Sequence, residues 1–308
     1  MPTYDNSPAL DQTGATTVLR PVGDDEGYWT GAPCVLQYDG RRLLGVRERT
    51  PDERGRAVHL YHHDEDLQRL TTVTADDLGV VSVERPSLVT DPKSGRLVAF
   101  LPVDHGSNQW TIRRLDAVDD PADLDPTTAR EVLAPQAGAT DSVTVKDPYV
   151  VTVGGRYHMF YAGHDGNSEQ AHLATSVDGK HFERYGDNPV LGRQYWHDHH
   201  TRLSCVLPAP DAPAWWVFYE ASATTDYGKT WNLRTALATS PDLRTVVDTS
   251  PQGPRYGSPV AGTATGVETF ATLRYLDILE GPDGYEAYYE VAREDGAFEL
   301  RHTDLIYE

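Results

Sequence analysis

The chain has 308 residues and a globular composition: 39% are hydrophobic and 24% are charged, and 47 acidic residues against 27 basic ones give a formal net charge of −20. Nucleic-acid binding depends on Lys and Arg neutralising phosphates, so this acidic balance predicts no nucleic-acid partner. No run approaches the roughly 18 apolar residues of a membrane-spanning helix, so we expect no membrane partner either.

Most of the 27 basic residues are arginines, and only four are lysines. An acidic, lysine-poor surface repels itself at low ionic strength and is screened at high ionic strength. The composition therefore predicts a halophilic protein from a salt-loaded cytoplasm, with an ordinary acidic protein as the alternative. Residues 1–13 are polar and lack the basic and apolar regions of a signal peptide. We expect a cytoplasmic protein whose first 13 residues are flexible.

A lone strand is predicted over residues 14–22, ahead of a series of repeats. Five copies of a strand–turn–strand pattern follow it along the chain. The copies span residues 31–47, 84–103, 144–163, 202–220 and 273–290. Two buried free thiols, Cys34 and Cys205, are expected at matching positions of copies one and four, because a cytoplasmic chain favours reduced cysteines.

The third copy has the most complete pattern. Residues 144–153 and 156–163 predict two strands joined by a Gly-Gly turn, and residues 171–176 and 182–185 add two more. Five such copies predict an all-β chain that forms one five-bladed β-propeller domain over residues 1–308, with four-stranded antiparallel blades. The last copy ends with only three strands, so we expect the N-terminal strand to close the last blade.

The candidate site follows from the geometry expected of such blades. The first strand of each blade begins, and its second strand ends, at the same face of the central channel, so residues at those points converge. These residues are Trp29, Glu84, Arg85, Lys146, Asp147, His199, His200, Arg202, Arg274 and Tyr275 at strand starts, and Glu220 and Glu290 at strand ends. Carboxylates, imidazoles and aromatic rings around one funnel suit acid–base chemistry on a sugar.

The third copy also carries a family resemblance. Asp147-Pro148, an apolar strand, Gly-Gly and the run from Arg156 to Gly163 resemble the blade signature of five-bladed propeller glycosidases of glycoside hydrolase families 43, 32, 68, 117 and 130. The resemblance implies a glycosidase that acts on a carbohydrate or glycoconjugate, with Asp147 orienting the substrate or tuning the pKa of the acid. The alternative is an Asp that caps a turn before Pro148.

The chain departs from this family pattern at two positions. The families usually place their base or nucleophile, an Asp before Pro, in the first blade, where this chain has Ala32. Their acid is usually a Glu in blade four, where the chain has the run from His199 to Arg202. The resemblance to family 117, which is understood to use a His acid, makes His200 a candidate proton donor, since an imidazole titrates near neutral pH.

Three glutamates are candidates for the missing carboxylate roles. Glu84 is expected to activate water, with a salt bridge to Arg85 or Lys146 as the alternative. Glu220 ends an apolar run that favours a raised pKa, and it is therefore a second candidate donor, with an Arg-paired rim carboxylate as the alternative. Glu290 holds the equivalent place in the fifth copy and is assigned to substrate binding. The expected mechanism is single-displacement hydrolysis.

A metal site is considered at His197-Asp198-His199-His200. Side chains of an extended chain alternate, so at most two of these residues face one way, whereas zinc needs three or four ligands. We expect no cofactor, with a channel metal near His199 and His200 as the alternative.

The predicted face is rich in cations for so acidic a chain. Arg85, Arg202 and Arg274, with Lys146, are expected to bind an anionic sugar, uronic or sulfated, beside the aromatic residues Trp29 and Tyr275. Alternatively, the cations neutralise local acids. Two other functions remain open: a glycoside phosphorylase that uses inorganic phosphate, and a sugar-binding propeller without turnover.

Overall fold

The computed structural model describes residues 7–64, 66–210, 212–227, 233–258, 263–264, 267–268, 272–281 and 284–307. The chain is all-β, as predicted. The helical segments among these residues are single turns: the 3₁₀ turns Pro121–Asp123 and Pro126–Thr128 and the helix Thr224–Tyr227. None of the described helices is long and apolar enough to cross a membrane.

The strands fall into two halves of the chain. Those before residue 120 are β1 (Pro8–Leu10), β2 (Thr16–Leu19), β3 (Trp29–Tyr38), β4 (Arg41–Arg49), β5 (Ala57–His63), β6 (Leu67–Thr74), β7 (Ser82–Val83), β8 (Ser87–Thr90), β9 (Leu97–Asp104) and β10 (Trp110–Arg114). Those after it are β11 (Arg130–Leu133), β12 (Thr144–Val153), β13 (Arg156–His164), β14 (Glu169–Ser176), β15 (Glu183–Arg184), β16 (His200–Pro208), β17 (Trp215–Ser222), β18 (Arg234–Ser240), β19 (Val247–Asp248), β20 (Thr263–Ala264), β21 (Val267–Glu268), β22 (Leu273–Gly281), β23 (Gly284–Ala292) and β24 (Phe298–Tyr307).

Strands that are close in sequence pair antiparallel in five groups, which we call units 1 to 5; in unit 2, β7 and β8 both pair with β9. They comprise β3–β6, β7–β11, β12–β15, β16–β19 and β22–β24. Each repeat seen in the sequence falls in one unit. Strands β1 and β2, from the other end of the chain, both pair antiparallel with β24, with Pro8 opposite Tyr307 and Thr16 opposite His302. Part of the segment expected to be flexible, residues 1–13, thus lies in a strand, and residues 1–6 lie outside the described part.

Apolar side chains pack between neighbouring units. Buried clusters join units 1 and 2, units 2 and 3, units 3 and 4, and units 4 and 5. A further cluster joins unit 5 to unit 1, where Tyr288 and Leu300 pack with Leu44 and Val46. Cys34 and Cys205 lie in two of these clusters as buried free thiols, as predicted.

A bulge interrupts the first strand of units 1, 3, 4 and 5 near its start. In each of these strands one extra residue opposes the second strand, between Gly31 and Cys34, Lys146 and Tyr149, Leu203 and Cys205, and Arg274 and Asp277. Within three of the bulges, Ala32, Asp147 and Tyr275 have φ of 49°, 50° and 54°. This left-handed conformation is strained for residues with a Cβ, and bulges commonly re-aim side chains next to active sites. Lys146, Arg202, Arg274 and Tyr275 lie in or next to these bulges and line one shared pocket.

Candidate active site

A pocket lies where the five units meet. Every unit contributes to its wall. The lining residues are Trp29, Arg47, Arg49 and Arg54 from unit 1, Glu84 from unit 2, Lys146 and Glu169 from unit 3, His200, Arg202 and Leu233 from unit 4, and Arg274 and Tyr275 from unit 5. The wall is strongly charged, with six cations and two carboxylates.

Most of the sequence-predicted site residues lie on this wall. They are Trp29, Glu84, Lys146, His200, Arg202, Arg274 and Tyr275. Four other predicted residues are buried and do not line the pocket: Arg85, Asp147, Glu220 and Glu290. Arg85 donates from Nη2 to the carbonyl oxygen of Ser204 at 2.8 Å, so it supports a first strand instead of facing a substrate.

Glu84 is one of the two carboxylates on the wall. It lies between β7 and β8 and accepts a hydrogen bond from Arg54 Nε at 2.9 Å, not from Arg85 or Lys146 as considered above. Burial opposes ionisation of Glu84, but the cations Arg54 and Lys146 outweigh it and hold its pKa below the usual range. Glu84 is therefore ionised at neutral pH, and the same cations make it a weaker base. Arg54 was not predicted, because it lies in the loop between β4 and β5.

Glu169 is the other wall carboxylate, and the sequence did not reveal it. It begins β14, the third strand of unit 3, whereas the predicted convergence concerns only first and second strands. Its Oε1 lies 2.5 Å from Lys146 Nζ, and its Oε2 lies 3.5 Å from His200 Nε2. Burial alone would raise the pKa of Glu169. The charges of Lys146 and His200 have the larger effect and bring this pKa down to about 2.

His200 begins β16 and faces Glu169. Burial lowers the pKa of His200 to about 4, although the Glu169 carboxylate acts in the opposite direction. Its imidazole packs against that of His199 with ring centroids 4.5 Å apart. The part of the chain that the structure describes brings together no group of three or more His, Cys, Asp or Glu side chains that could hold a metal ion.

Arg202 organises the buried layer next to the pocket. Its Nη1 lies 2.6 Å from Asp147 Oδ2 and donates to the Tyr275 hydroxyl at 3.0 Å, and its Nε donates to Glu220 Oε2 at 3.1 Å. Glu220 also accepts from the Ser204 hydroxyl and from the Tyr275 backbone N–H. Hydrogen-bond donors inside the protein thus hold the Glu220 carboxylate, which does not reach the pocket. The prediction that Glu220 donates a proton to the substrate does not agree with this position.

Glu290 holds two cations of unit 1 and unit 5. Its carboxylate lies 2.5 Å from Arg47 Nη2 and 2.5 Å from Arg274 Nε. The side chain packs directly against Gly31, where any Cβ would collide with it. Gly31 directly precedes Ala32, the position at which the family resemblance places a carboxylate from unit 1.

Three guanidiniums surround the Trp29 ring. The Cζ atoms of Arg49, Arg274 and Arg47 lie 3.9, 4.5 and 5.5 Å from its centroid. Arg49 makes no ion pair with any carboxylate among the described residues. Burial, with the nearby cations, lowers the pKa of Arg49 to about 10, so it remains charged at neutral pH.

No protein-family model and no curated protein matches the sequence. Solved structures do share the fold. A BT0996 RGII complex matches with a TM-score of 0.70 and 14% identity, over 93% of this chain and 89% of that one. An alpha-L-arabinofuranosidase from Lactobacillus brevis matches with a TM-score of 0.62 and 11% identity, over 96% and 92%.

A third match is Zg3597, a family 117 glycoside hydrolase produced by the marine bacterium Zobellia galactanivorans, with a TM-score of 0.60 and 13% identity over 94% of this chain and 90% of that one. At these identities the likeness concerns the fold. The chain therefore resembles propeller glycoside hydrolases, including those of families 43 and 117, in its three-dimensional structure.

Proposed function

We propose that this chain is a glycoside hydrolase that acts on a carbohydrate or glycoconjugate. The observation that carries the proposal is the pair of carboxylates, Glu84 and Glu169, on the wall of one charged pocket beside His200. Glycoside hydrolysis typically uses two carboxyl groups, one to protonate the leaving oxygen and one to activate water or attack the sugar. The similarity of the fold to solved glycoside hydrolases supports the same reaction class.

We propose that residues 1–308 form one domain, a five-bladed β-propeller with units 1 to 5 as its blades. The apolar cluster between unit 5 and unit 1 supports a ring, since it joins the last blade to the first. The pairing of β1 and β2 with β24 supports closure of the last blade by the N-terminal strands. A ring of this kind leaves few strand edges exposed.

In the proposed single displacement, the ionised Glu84 activates a water molecule. The proton for the leaving oxygen comes from His200, whose Nε2 lies 3.5 Å from Glu169 Oε2. The pKa of His200 is about 4 and that of Glu169 about 2, so the donor is protonated, and turnover is fastest, in acidic solution. An imidazole in this role agrees with the His expected from the sequence.

The buried acids act through their neighbours and do not contact the substrate. Asp147 and Glu220 hold Arg202 at the pocket wall, and Glu290 holds Arg47 and Arg274. We assign them positioning roles, because a guanidinium fixed by two carboxylates keeps its remaining donors in place for a substrate.

An anionic sugar, uronic or sulfated, is the proposed ligand class, because six cations against two carboxylates line the pocket. The same excess favours a second candidate function, a glycoside phosphorylase in which inorganic phosphate replaces water. A sugar-binding propeller without turnover is the third candidate, since Ala32 stands where the resembling families have a carboxylate.

The test is a screen of polysaccharides and aryl glycosides in molar salt, with and without phosphate, for the wild type, Glu84→Gln and Glu169→Gln. We expect phosphate-independent cleavage that each substitution lowers about 100-fold or more, the usual scale of lost acid–base assistance. Glu53→Gln, an exposed glutamate near Arg54 in sequence, is the matched control. Cleavage only with phosphate would establish the phosphorylase, and binding without product would establish the binding protein.

A further inference from the structure

We propose that Arg49, stacked on Trp29, is the residue that recognises the substrate, and that the group it binds is the carboxylate of a uronic acid. The inference rests on the proposed function, because it assigns an orientation to a sugar in the same pocket. Of the anions proposed above, a uronate, a sulfated sugar and inorganic phosphate, it selects the uronate.

The charges of the described side chains are unevenly distributed around the pocket. Around the Trp29 ring, Arg47 and Arg274 form ion pairs with Glu290, whereas Arg49 forms no ion pair with a described carboxylate. The other wall cations are paired: Arg54 with Glu84, Lys146 with Glu169, and Arg202 with Asp147 and Glu220. An anionic ligand is therefore attracted to Arg49, the wall cation without such an ion pair.

Arg49 is the wall cation that pairs with no described carboxylate. Its guanidinium lies over the Trp29 ring at 3.9 Å, and its Nε is buried without a hydrogen-bond partner. Arg49 lines the pocket, and its guanidinium carries two terminal nitrogens besides Nε. A guanidinium edge forms two parallel hydrogen bonds with a carboxylate, and stacking on an aromatic ring reduces the side-chain entropy lost on binding.

The charge and shape of this arrangement favour a carboxylate over the other anions. A uronate carries one negative charge and is planar, which matches one unpaired guanidinium whose donors lie in one plane. A phosphate carries up to two charges, and a sulfate ester is tetrahedral; both would use donors in several directions. The uronate carboxylate at Arg49 would also orient the sugar, with its glycosidic bond directed toward Glu84 and Glu169.

Arg49 is also electrostatically linked to the proposed base. Arg47 and Arg49 are among the cations that lower the pKa of Glu84. A carboxylate bound at Arg49 offsets part of their effect, so that Glu84 becomes a stronger base when a uronate is bound. Turnover of neutral sugars would lack this assistance as well as the binding contact.

The experiment measures binding by calorimetry, without turnover, in one buffer of fixed salt concentration. The probes are galacturonate and glucuronate, the neutral sugars galactose and glucose, galactose 6-sulfate, and inorganic phosphate. The proteins are the wild type, Arg49→Gln, Arg49→Lys and the control Arg41→Gln, which lies at the exposed far end of the same strand, β4. Circular dichroism confirms that each variant is folded.

We expect the wild type and Arg41→Gln to bind one of the uronates at least tenfold more tightly than its neutral counterpart. In Arg49→Gln the dissociation constant for that uronate rises about 10- to 100-fold, the range of a lost charge-assisted hydrogen bond, while neutral binding hardly changes. Arg49→Lys recovers part of the affinity, since it restores the charge but not the two-pronged contact.

Three outcomes would overturn the inference. Equal affinity for uronates and neutral sugars in the wild type removes the anion preference but leaves the carbohydrate function intact. If Arg49→Gln still prefers the uronate over the neutral sugar, another residue recognises the carboxylate. If galactose 6-sulfate or phosphate binds more tightly than the uronates, the site recognises a different anion. Binding of no sugar at all, together with no cleavage in the polysaccharide screen, overturns both this inference and the proposed function.

Discussion

Arg202 Nη1 lies 2.6 Å from Asp147 Oδ2, and this buried ion pair joins the first strands of units 3 and 4 directly beside the pocket. Asp147 itself is inaccessible, with a relative exposure of 0%. The relationship gives the Asp-Pro step of the third repeat a physical role, since the carboxylate fixes a cation that lines the pocket.

Substitution of Asp147 by Asn should lower turnover while the protein stays folded. Asn tolerates the left-handed backbone at this position, and Arg202 retains Glu220 as a partner. We expect a loss of about 1–3 kcal/mol in the free energy of unfolding, the cost of weakening one buried charged hydrogen bond. Turnover should fall about 100-fold, since Arg202 is no longer held from both sides.

Urea unfolding and steady-state kinetics measure the two effects of the Asp147 substitution. The control is Asp123→Asn, at an exposed position in the first 3₁₀ turn. Full turnover by Asp147→Asn on a substrate that the wild type cleaves would contradict a role for this ion pair at the site.

Gly31 should not accept a side chain. A Cβ at this position collides with the Glu290 side chain, which would have to move away from Arg47 and Arg274. We expect Gly31→Ala to destabilise the fold by about 1–3 kcal/mol, as is typical of overpacking in a core. Gly186→Ala is the control, since nothing lies within 4 Å of a Cβ added there and its φ is outside the left-handed region. Equal stability of wild type and Gly31→Ala in thermal melts would show that Glu290 has room to move.

Stability should depend on pH through His200. Burial lowers its pKa from 6.5 to about 4, so between these values the unfolded chain binds a proton that the folded chain does not. His200 therefore stabilises the fold above pH 6.5, and this contribution is lost as pH falls toward 4. The full shift corresponds to about 3 kcal/mol. Urea unfolding at pH 7 and pH 4.5 measures how much the free energy of unfolding falls between these pH values. We expect a smaller fall in His200→Gln than in the wild type, and an equal fall would refute this assignment.

The N-terminal strands should be needed for stability. β1 and β2 cover the edge of β24, and the Tyr256 hydroxyl donates to the carbonyl oxygen of Pro8 across the chain ends. Removal of residues 1–22 exposes the edge of β24 and breaks these bonds, so we expect the melting temperature to fall by about 5–10 °C. Removal of residues 1–13 alone, which leaves β2, should have a smaller effect. An unchanged melting temperature in the longer deletion would argue against closure by these strands.

Stability should also depend on salt. With 47 acidic residues against 27 basic ones, repulsion increases as ionic strength falls, because the screening length grows to about 10 Å at 0.1 M. We expect thermal melts to show a large drop in melting temperature between molar salt and about 0.1 M. The proposed halophilic character would be abandoned if the melting temperature did not change over this range.

The sequence by itself determined the strand pattern and the face at which the candidate site residues converge. Gly-Gly and Asp-Gly turns between apolar runs are local signals, so the five repeats could be placed before any tertiary contact was known. The convergence of strand starts also followed from the repeats alone. It brought Glu84, Lys146, His200, Arg202 and Arg274 to one pocket wall, where the structure has them.

Only the tertiary structure decided which charged groups pair and which face the pocket. Glu220 and Glu290 were expected at the same face as Glu84, but each is buried and accepts from an arginine of its own unit and from a donor of a neighbouring unit. Glu169 and Arg54 reach the pocket from a third strand and a loop, which the predicted convergence did not include. Ion pairs between distant residues depend on distances of a few ångströms between units, and one sequence contains no signal for such distances. For that reason repeats could be predicted from local pattern, whereas the unpaired charge of Arg49 could not.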